Sequence, residues 1–316
     1  MLPPNHGAAM TIAWLRGSLT GLLLALNTVA VFSLMLPLAL AKLVLPAGAL
    51  RVGCDKVLNG LASCWVAINN AWLAAADSSP WLTSGLEGLN PRGWYLVSSN
   101  HQSWVDILVL QRVFHGRIPF LKFFLKRELI WVPVIGLAWW ALDFPFMHRG
   151  RGTGRDDLAT TRRACEKFKR IPTAVINFAE GTRFTPAKHA AQRSPYRHLL
   201  VPKSGGLGVA LATMGEQFEA LLDVTIVYPD GAPRFWDLLC ARAGAVEVHV
   251  RQREVPADVV AGDLVRDKAY RKRVRAWVDE QWADKDQLIE DQLTRRTGQA
   301  PHAPGPSQQP DHPASR

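Results

Sequence analysis

The stretch NHQSWVDI, Asn100 to Ile107, follows the short apolar run WYLVSS and holds the residue types of a proton-transfer site. An imidazole at His101 with a carboxylate at Asp106 pairs a general base with its orienting group. The carboxylate holds the ring in one tautomer, and the ring takes a proton near neutral pH. The spacing sets a condition: residues five apart lie on opposite faces of a strand and roughly 140° apart around a helix. The two meet only if the chain turns between them. Such a turn is available, with a strand ending near Ser99, a loop through Asn100 and His101, Ser103 as helix cap and Trp104 as the first helical residue. The same residues also have a plainer reading, because S-x-x-D is a capping-box pattern in which Asp106 serves only the helix start. Taken alone, that is the commoner meaning. No G-x-S-x-G elbow surrounds Ser103 or Ser204, which argues against a serine hydrolase.

A base needs an electrophile and a way to hold it, and two further stretches offer anion-binding groups. A strand predicted over Thr173–Phe178 runs into AEGTRF, where Glu180 and Arg183 flank Gly181 and Thr182. Glycine permits tight backbone geometry at a strand end, Arg183 can clamp a phosphate with two donors, and ligands of open α/β sheets gather at such ends. Another predicted strand ends in FPFMHRGRGTGR, a basic glycine-rich loop in which Arg149 stands nearest the strand. That loop lacks the Lys-Ser/Thr ending of a nucleotide-binding P-loop, and its glycine spacing does not open a dinucleotide fold.

These segments sit in a texture of short β-branched and aromatic runs alternating with longer amphipathic ones, the pattern of an α/β domain. The expected fold is a mixed, largely parallel sheet flanked by helices. Strands are predicted at Trp94–Ser98, Asp143–Met147, Thr173–Phe178, Val224–Tyr228 and Ala245–Arg251, and helices at Ser103–Phe114, Arg155–Arg170, Gly206–Met214 and Leu264–Leu293. The body spans 80–293, between an N-terminal membrane segment at 1–79 and a Pro- and Gln-rich tail at 294–316 that is expected to be disordered.

The N-terminal segment contains an uncharged run from Gly17 to Ala41, bracketed by Arg16 and Lys42. It exceeds the roughly 20 residues that cross a bilayer, and Pro37 is placed to kink or end it. A second uncharged run, Val57 to Ala76, is diluted by Asn59, Asn69 and Asn70, so it is expected to lie on the membrane or pack against the body. Lys42, Arg51 and Lys56 outnumber Arg16, which places the body on the cytoplasmic side by the positive-inside tendency. Between Phe120 and Phe144, Trp131, Trp139 and Trp140 accompany Lys122, Lys126 and Arg127, a mixture that suits either a bilayer interface or a buried helix.

Thirty-seven Lys and Arg against 27 Asp and Glu give the 316-residue chain a net charge of +10. An anionic partner is implied: lipid head group, nucleic acid or phosphorylated substrate. From Met147 to Arg170 eight basic residues face three acidic ones, which keeps open a membrane-tethered protein that binds nucleic acid or anionic lipid without catalysis. The four cysteines are scattered, with no metal-binding spacing, and are expected to be reduced.

NHQSWVD resembles the N-H-x-x-x-x-D signature of the glycerolipid acyltransferases, which include the 1-acylglycerol-3-phosphate acyltransferases, and EGTR resembles their second hallmark. FMHRG lies between them where that family carries a phosphate-binding Arg, and KREL, Lys126 to Leu129, is similar to the segment after its first motif. EGTRFTPAKH and TTRRACEKF are similar to a bacterial inner-membrane branch. The resemblance implies His101 as base and Asp106 as its orienting carboxylate. It implies Arg149, Glu180, Gly181, Thr182 and Arg183 on the substrate, supported by Asn100, Ser103 and Lys126. It further implies no metal or cofactor, acyl-CoA or acyl carrier protein as co-substrate, a lysophospholipid acceptor, no nucleic acid, and an inner-membrane location facing the cytoplasm. Ala179 stands where many members have Pro, and the later apolar Pro motif has no clean counterpart beyond Pro229.

Overall fold

The computed structural model describes residues 6–46, 48–76, 79, 81–144, 146–147, 154–260, 262–264 and 266–298. Two long helices come first: α1 (His6–Val44) and α2 (Ala49–Ala76). α1 continues through Pro37 instead of ending there, and Met10–Val44 is long and apolar enough to cross a membrane. Two of its polar side chains are satisfied by α2. Asn27 donates to Asn69 Oδ1 (2.7 Å), and Trp65 Nε1 donates to Thr28 Oγ1 (3.0 Å). α2 begins eight residues before the expected Val57. It packs along α1 and buries Leu58, Ala62, Val66 and Leu73.

The body is built on a six-stranded sheet. Its strands are β1 (Trp81–Ser84), β2 (Tyr95–Ser99), β3 (Leu121–Phe123), β6 (Ala174–Phe178), β7 (Ala220–Val227) and β8 (Val246–Arg253), after a separate short pair, β4 (Leu125–Lys126) and β5 (Phe146–Met147). The sheet order is β1-β8-β7-β2-β6-β3. β7, β2, β6 and β3 run parallel, and β8 turns antiparallel beside β7, which gives the mixed, largely parallel sheet that the sequence pattern predicts. Between strands lie α3 (Val105–Phe114), α4 (Ile135–Ala141), α5 (Gly154–Phe168), α6 (Pro186–Gln192), α7 (Gly205–Met214), α8 (Phe235–Leu239) and α9 (Lys268–Thr297).

Alternation along the strands sorts the core into two layers. Val97, Ile176, Leu222, Val224 and Ile226 face α3 and the α1–α2 pair, whereas Leu96, Val175, Leu221 and Val227 face α5, α7 and α9. The N-terminal helices therefore cover one side of the sheet and α9 covers the other.

Among the boundaries that differ from expectation, three trace to specific partners. Asp143 is not in a strand. It takes a left-handed φ of 59° and is held by Lys42 from α1 and Lys167 from α5, so only Phe146–Met147 pair as strand. β7 starts at Ala220 because buried Asp223 is neutralised from outside the strand by Lys285 of α9 (2.6 Å). α9 is capped by Asp267, whose side chain accepts from Tyr270 N (2.9 Å), and continues to Thr297, so 294–297 are helix instead of tail. Residues 299–316 lie outside the described residues. The stretch between Phe120 and Phe144 divides into β3, β4, a 3-10 turn at Arg127–Trp131 and α4, with Trp131 fully outward at 84% exposure. The four cysteines are free thiols.

Candidate active site

The loop after β2 makes the turn that the His-Asp spacing requires. Asn100 anchors it: its side-chain amide donates to Ile226 O (2.8 Å) and accepts from Ile226 N (2.8 Å), replacing one rung of the β2–β7 ladder. Ser103 Oγ donates to Pro233 O (2.5 Å) and accepts from Val105 N (3.1 Å), tying the start of α3 to a distant loop. α3 begins at Val105 with Trp104 as cap, one residue later than expected. His101 and Asp106 thereby face each other, with His101 Nδ1 2.8 Å from Asp106 Oδ2.

Asp106 is fully buried and is reached by four donors. Oδ2 accepts from His101 Nδ1, Gln102 N (2.6 Å) and Ser103 N (3.0 Å), and Oδ1 accepts from Tyr228 Oη (2.6 Å). The two readings of the motif are one geometry: the carboxylate that binds the N–H groups before α3 is the one that holds the imidazole. A carboxylate only accepts, so the shared proton sits on Nδ1 and leaves Nε2 with a lone pair. Burial, and then the neighbouring Asp106, push the Tyr228 phenol well above its ordinary value, so it remains a donor. The ring stacks on Phe178 with centroids 4.0 Å apart and keeps 14% of its side chain exposed.

The EGTR loop crosses the same turn. Glu180, which the resemblance put on the substrate, points inward: fully buried, it accepts from His101 N (2.7 Å) with one oxygen and from Leu200 N (3.0 Å) with the other. Burial lifts its carboxyl to about 7, against the two N–H bonds that favour ionisation. Phe184 N donates to His101 O (2.7 Å), so the two loops are laced on both sides of His101. Gly181 takes φ of 69°, and its N–H donates to Phe178 O (2.9 Å). That amide is committed to the turn and is not an oxyanion donor. Thr182 Oγ1 accepts from Lys188 Nζ (2.8 Å). Arg183 is exposed, its guanidinium 5.1 Å over the Trp104 ring. Lys203 lies against Gly181, its Cδ 3.2 Å from where a Cβ would stand.

β4 and β5 pair Lys126 with Met147. Arg149, predicted to bind phosphate, lies outside the described residues, as does the side chain of Lys126, so their geometry plays no part here. The basic stretch Met147–Arg170 that motivated a nucleic-acid reading resolves into the end of β5 and α5, with 148–153 outside the described residues.

Behind His101 a file of aromatic rings leads inward. Phe178 is 6.1 Å from Phe123, Phe123 is 6.3 Å from Phe144, and Trp139 flanks Phe144 at 6.5 Å. It borders an apolar cavity of about 130 Å³ lined by Val31 and Met35 of α1, Trp65 of α2, Leu108 of α3 and Ala138 of α4. His101 and Arg183 stand at the carboxyl ends of β2 and β6, where the backbone of α/β sheets leaves room for ligands. The site thus joins a base, exposed cations and an apolar recess at the α1–α2 hairpin.

Residues 82–229 match the family model described as Acyltransferase. In these residues the chain is similar to the acyltransferase family. The chain is 26% identical over 216 residues to 1-acyl-sn-glycerol-3-phosphate acyltransferase 2 of Brassica oleracea, covering 64% of this chain and 52% of that one. It is 27% identical over 194 residues to the gamma form of the mouse enzyme of that name, covering 56% of this chain and 51% of the relative. The chain spans about half the length of these relatives. The fold is that of the crystal structure of 1-acyl-sn-glycerophosphate (LPA) acyltransferase PlsC from Thermotoga maritima: TM-score 0.52 at 19% identity, over 91% of this chain and 99% of that one.

Tyr228, Phe178, Trp104 and Lys203 escaped the sequence reading of this site. Tyr228 and Phe178 gave a signal, each standing at the end of a predicted strand where ligands of this fold class gather.

Proposed function

We propose that this protein moves a fatty acyl group from a thioester to the free hydroxyl of a lysophospholipid, with 1-acylglycerol-3-phosphate as acceptor and phosphatidic acid as product. The observation that carries the reading is the buried Tyr228–Asp106–His101 relay, whose imidazole is joined through Phe178 and Phe123 to an apolar recess. A thioester is already activated, so no covalent enzyme nucleophile is required. His101 Nε2 takes the acceptor's hydroxyl proton as its oxygen attacks the thioester carbonyl, and Asp106 stabilises the imidazolium. Collapse of the tetrahedral intermediate breaks the C–S bond, and the thiolate leaves with the proton that His101 had taken. We assign the oxyanion to backbone N–H groups of the EGTR loop beyond Gly181. Arg183, joined by Arg149, holds the acceptor phosphate.

The apolar cavity reaches α1 and α2, so a lipid tail passes from the bilayer to the base without crossing water. We place the attachment at α1, in a bacterial inner membrane with the body in the cytoplasm; the length and apolar character of α1 and the cations Lys42, Arg51 and Lys56 near the hairpin support this reading. The test is transfer by detergent-solubilised protein from acyl-CoA, and separately from acyl carrier protein, to lysophosphatidic acid, lysophosphatidylcholine and glycerol 3-phosphate. Phosphatidic acid formation dominates if the reading holds. Transfer to none of the acceptors from either donor rejects it.

A further inference from the structure

A second concentration of charge lies at the same edge of the sheet but on its other face. A groove of about 800 Å³ runs between the start of α7 and the first turns of α9, lined by Ser204 and Gly205 and by Lys268, Arg271, Lys272 and Arg275. The four cations are three, four and seven residues on from Lys268 and share one helix face. No carboxylate lines the groove. Arg275 reaches Asp279 at 3.5 Å and Arg271 donates to Leu264 O (2.9 Å), while Lys268 and Lys272 are exposed with no carboxylate partner among the described residues. Like charges at this spacing destabilise a helix by a few tenths of a kcal/mol per pair, a standing cost that a bound anion removes.

Two observations choose the anion. The first is position. Lys203 N donates to Ala179 O (2.7 Å), its side chain lies against Gly181, and the groove begins at the next residue, Ser204. Ala179 adjoins Glu180, which accepts from His101 N, so the segment that leads into the groove is hydrogen-bonded to the loop that carries His101. The second is the face. α7 and α9 belong to the core layer opposite the one that holds α1 and α2. A membrane lipid arrives along α1 and α2, whereas this groove faces water on the far side of the sheet. Its ligand is therefore a water-soluble anion that must reach His101.

We propose that the α7–α9 groove binds the phosphorylated adenosine end of coenzyme A, with the pantetheine arm passing Lys203 to bring the thioester to His101. The assignment rests on the acyl-transfer reading and names its donor. Coenzyme A carries three phosphoryl groups, which four cations in a recess accommodate; a carrier protein would offer a convex surface that a recess does not match. α9 lies outside residues 82–229 that match the family model.

The experiment measures calorimetric binding of coenzyme A and of adenosine 3′,5′-bisphosphate to the detergent-solubilised full chain, alongside acyl-transfer kinetics. Wild type is compared with Lys268→Glu/Lys272→Glu and with Arg92→Glu/Arg170→Glu, a control of equal net charge at exposed positions elsewhere. Folding of each is checked by circular dichroism. The expected result is at least tenfold weaker binding of both ligands and at least a tenfold higher KM for acyl-CoA in the groove variant alone. The KM for lysophosphatidic acid stays unchanged, and kcat at saturation stays within twofold. Unaltered ligand binding and KM in the folded groove variant overturn the proposal. So does transfer from acyl carrier protein that depends on Lys268 and Lys272 while coenzyme A fails to bind. Binding of coenzyme A through these lysines, with no transfer to any lyso-lipid, upholds the groove and rejects the acyl-transfer reading instead.

Discussion

Replacing Asp106 by Asn removes a charge and almost no volume. In Asp106→Asn the carbonyl oxygen must take the place of Oδ2, because Gln102 N and Ser103 N converge there. The new amide then faces Tyr228, whose hydroxyl turns to accept. His101 Nδ1–H keeps an acceptor, so the tautomer survives. What disappears is the negative charge beside the imidazolium that forms during the reaction. Two unit charges about 4 Å apart at an effective dielectric of about 20 attract by about 4 kcal/mol, which is about three decades in rate. The expected outcome is a fall of about 10³-fold in kcat, with KM for donor and acceptor within about threefold of wild type. The assay is the initial rate of phosphatidic acid formation in micelles at saturating acyl-CoA and lysophosphatidic acid, with near-UV circular dichroism as the folding check. A folded variant whose kcat stays within tenfold of wild type refutes the reasoning, because the carboxylate's charge would then play no part in the proton transfer.

Asn100→Ala strips both partners from the buried Ile226 backbone; at about 1–3 kcal/mol per unsatisfied group, urea unfolding should show a loss of about 2–6 kcal/mol, and a loss under about 1 kcal/mol contradicts the bridging role. Burial lifts Glu180 from 4.5 to about 7, so the folded state holds this proton more tightly than the unfolded chain. Its contribution to stability is complete below about pH 4.5 and is lost as pH rises through about 7, by about 3 kcal/mol at most. Against Glu180→Gln, which has no such proton, wild-type stability should decline between pH 5 and 8; a pH-independent difference would show that Glu180 is not buried as described. Lys285→Met leaves Asp223, buried beneath α9, with Arg253 as its remaining ion-pair partner (3.0 Å). A loss of about 3 kcal/mol is expected, read as a lower urea midpoint at unchanged m-value, and an unchanged midpoint rules the pair out as a stabilising contact.

The sequence disclosed most where local chemistry settled the conformation. The runs around Leu96 and Ile176 are β-branched or aromatic and are stopped by polar turn residues, so their strand ends were legible to within about a residue. β1 and β3 are edge strands of four and three residues, too short for alternation to show. What the linear reading missed was set by partners far along the chain. Tyr228 meets Asp106 across 122 residues, Asp143 is drawn out of its strand by Lys42 and Lys167, and β7 extends because Lys285 neutralises Asp223. Glu180 was misplaced for the same reason: its side-chain direction is decided by backbone donors at His101 and Leu200, which no spacing rule connects. His101 and Asp106 were legible because the turn that joins them is encoded in the eight residues that contain them.

The central claim is that His101 Nε2 removes the acceptor's proton. Wild type and His101→Ala, both verified as folded and both shown to bind acyl-CoA equally, are compared for transfer to lysophosphatidic acid. The account predicts a rate at least 10²-fold lower in the variant, in line with the usual contribution of a general base. Transfer by folded His101→Ala at a rate near that of wild type contradicts it.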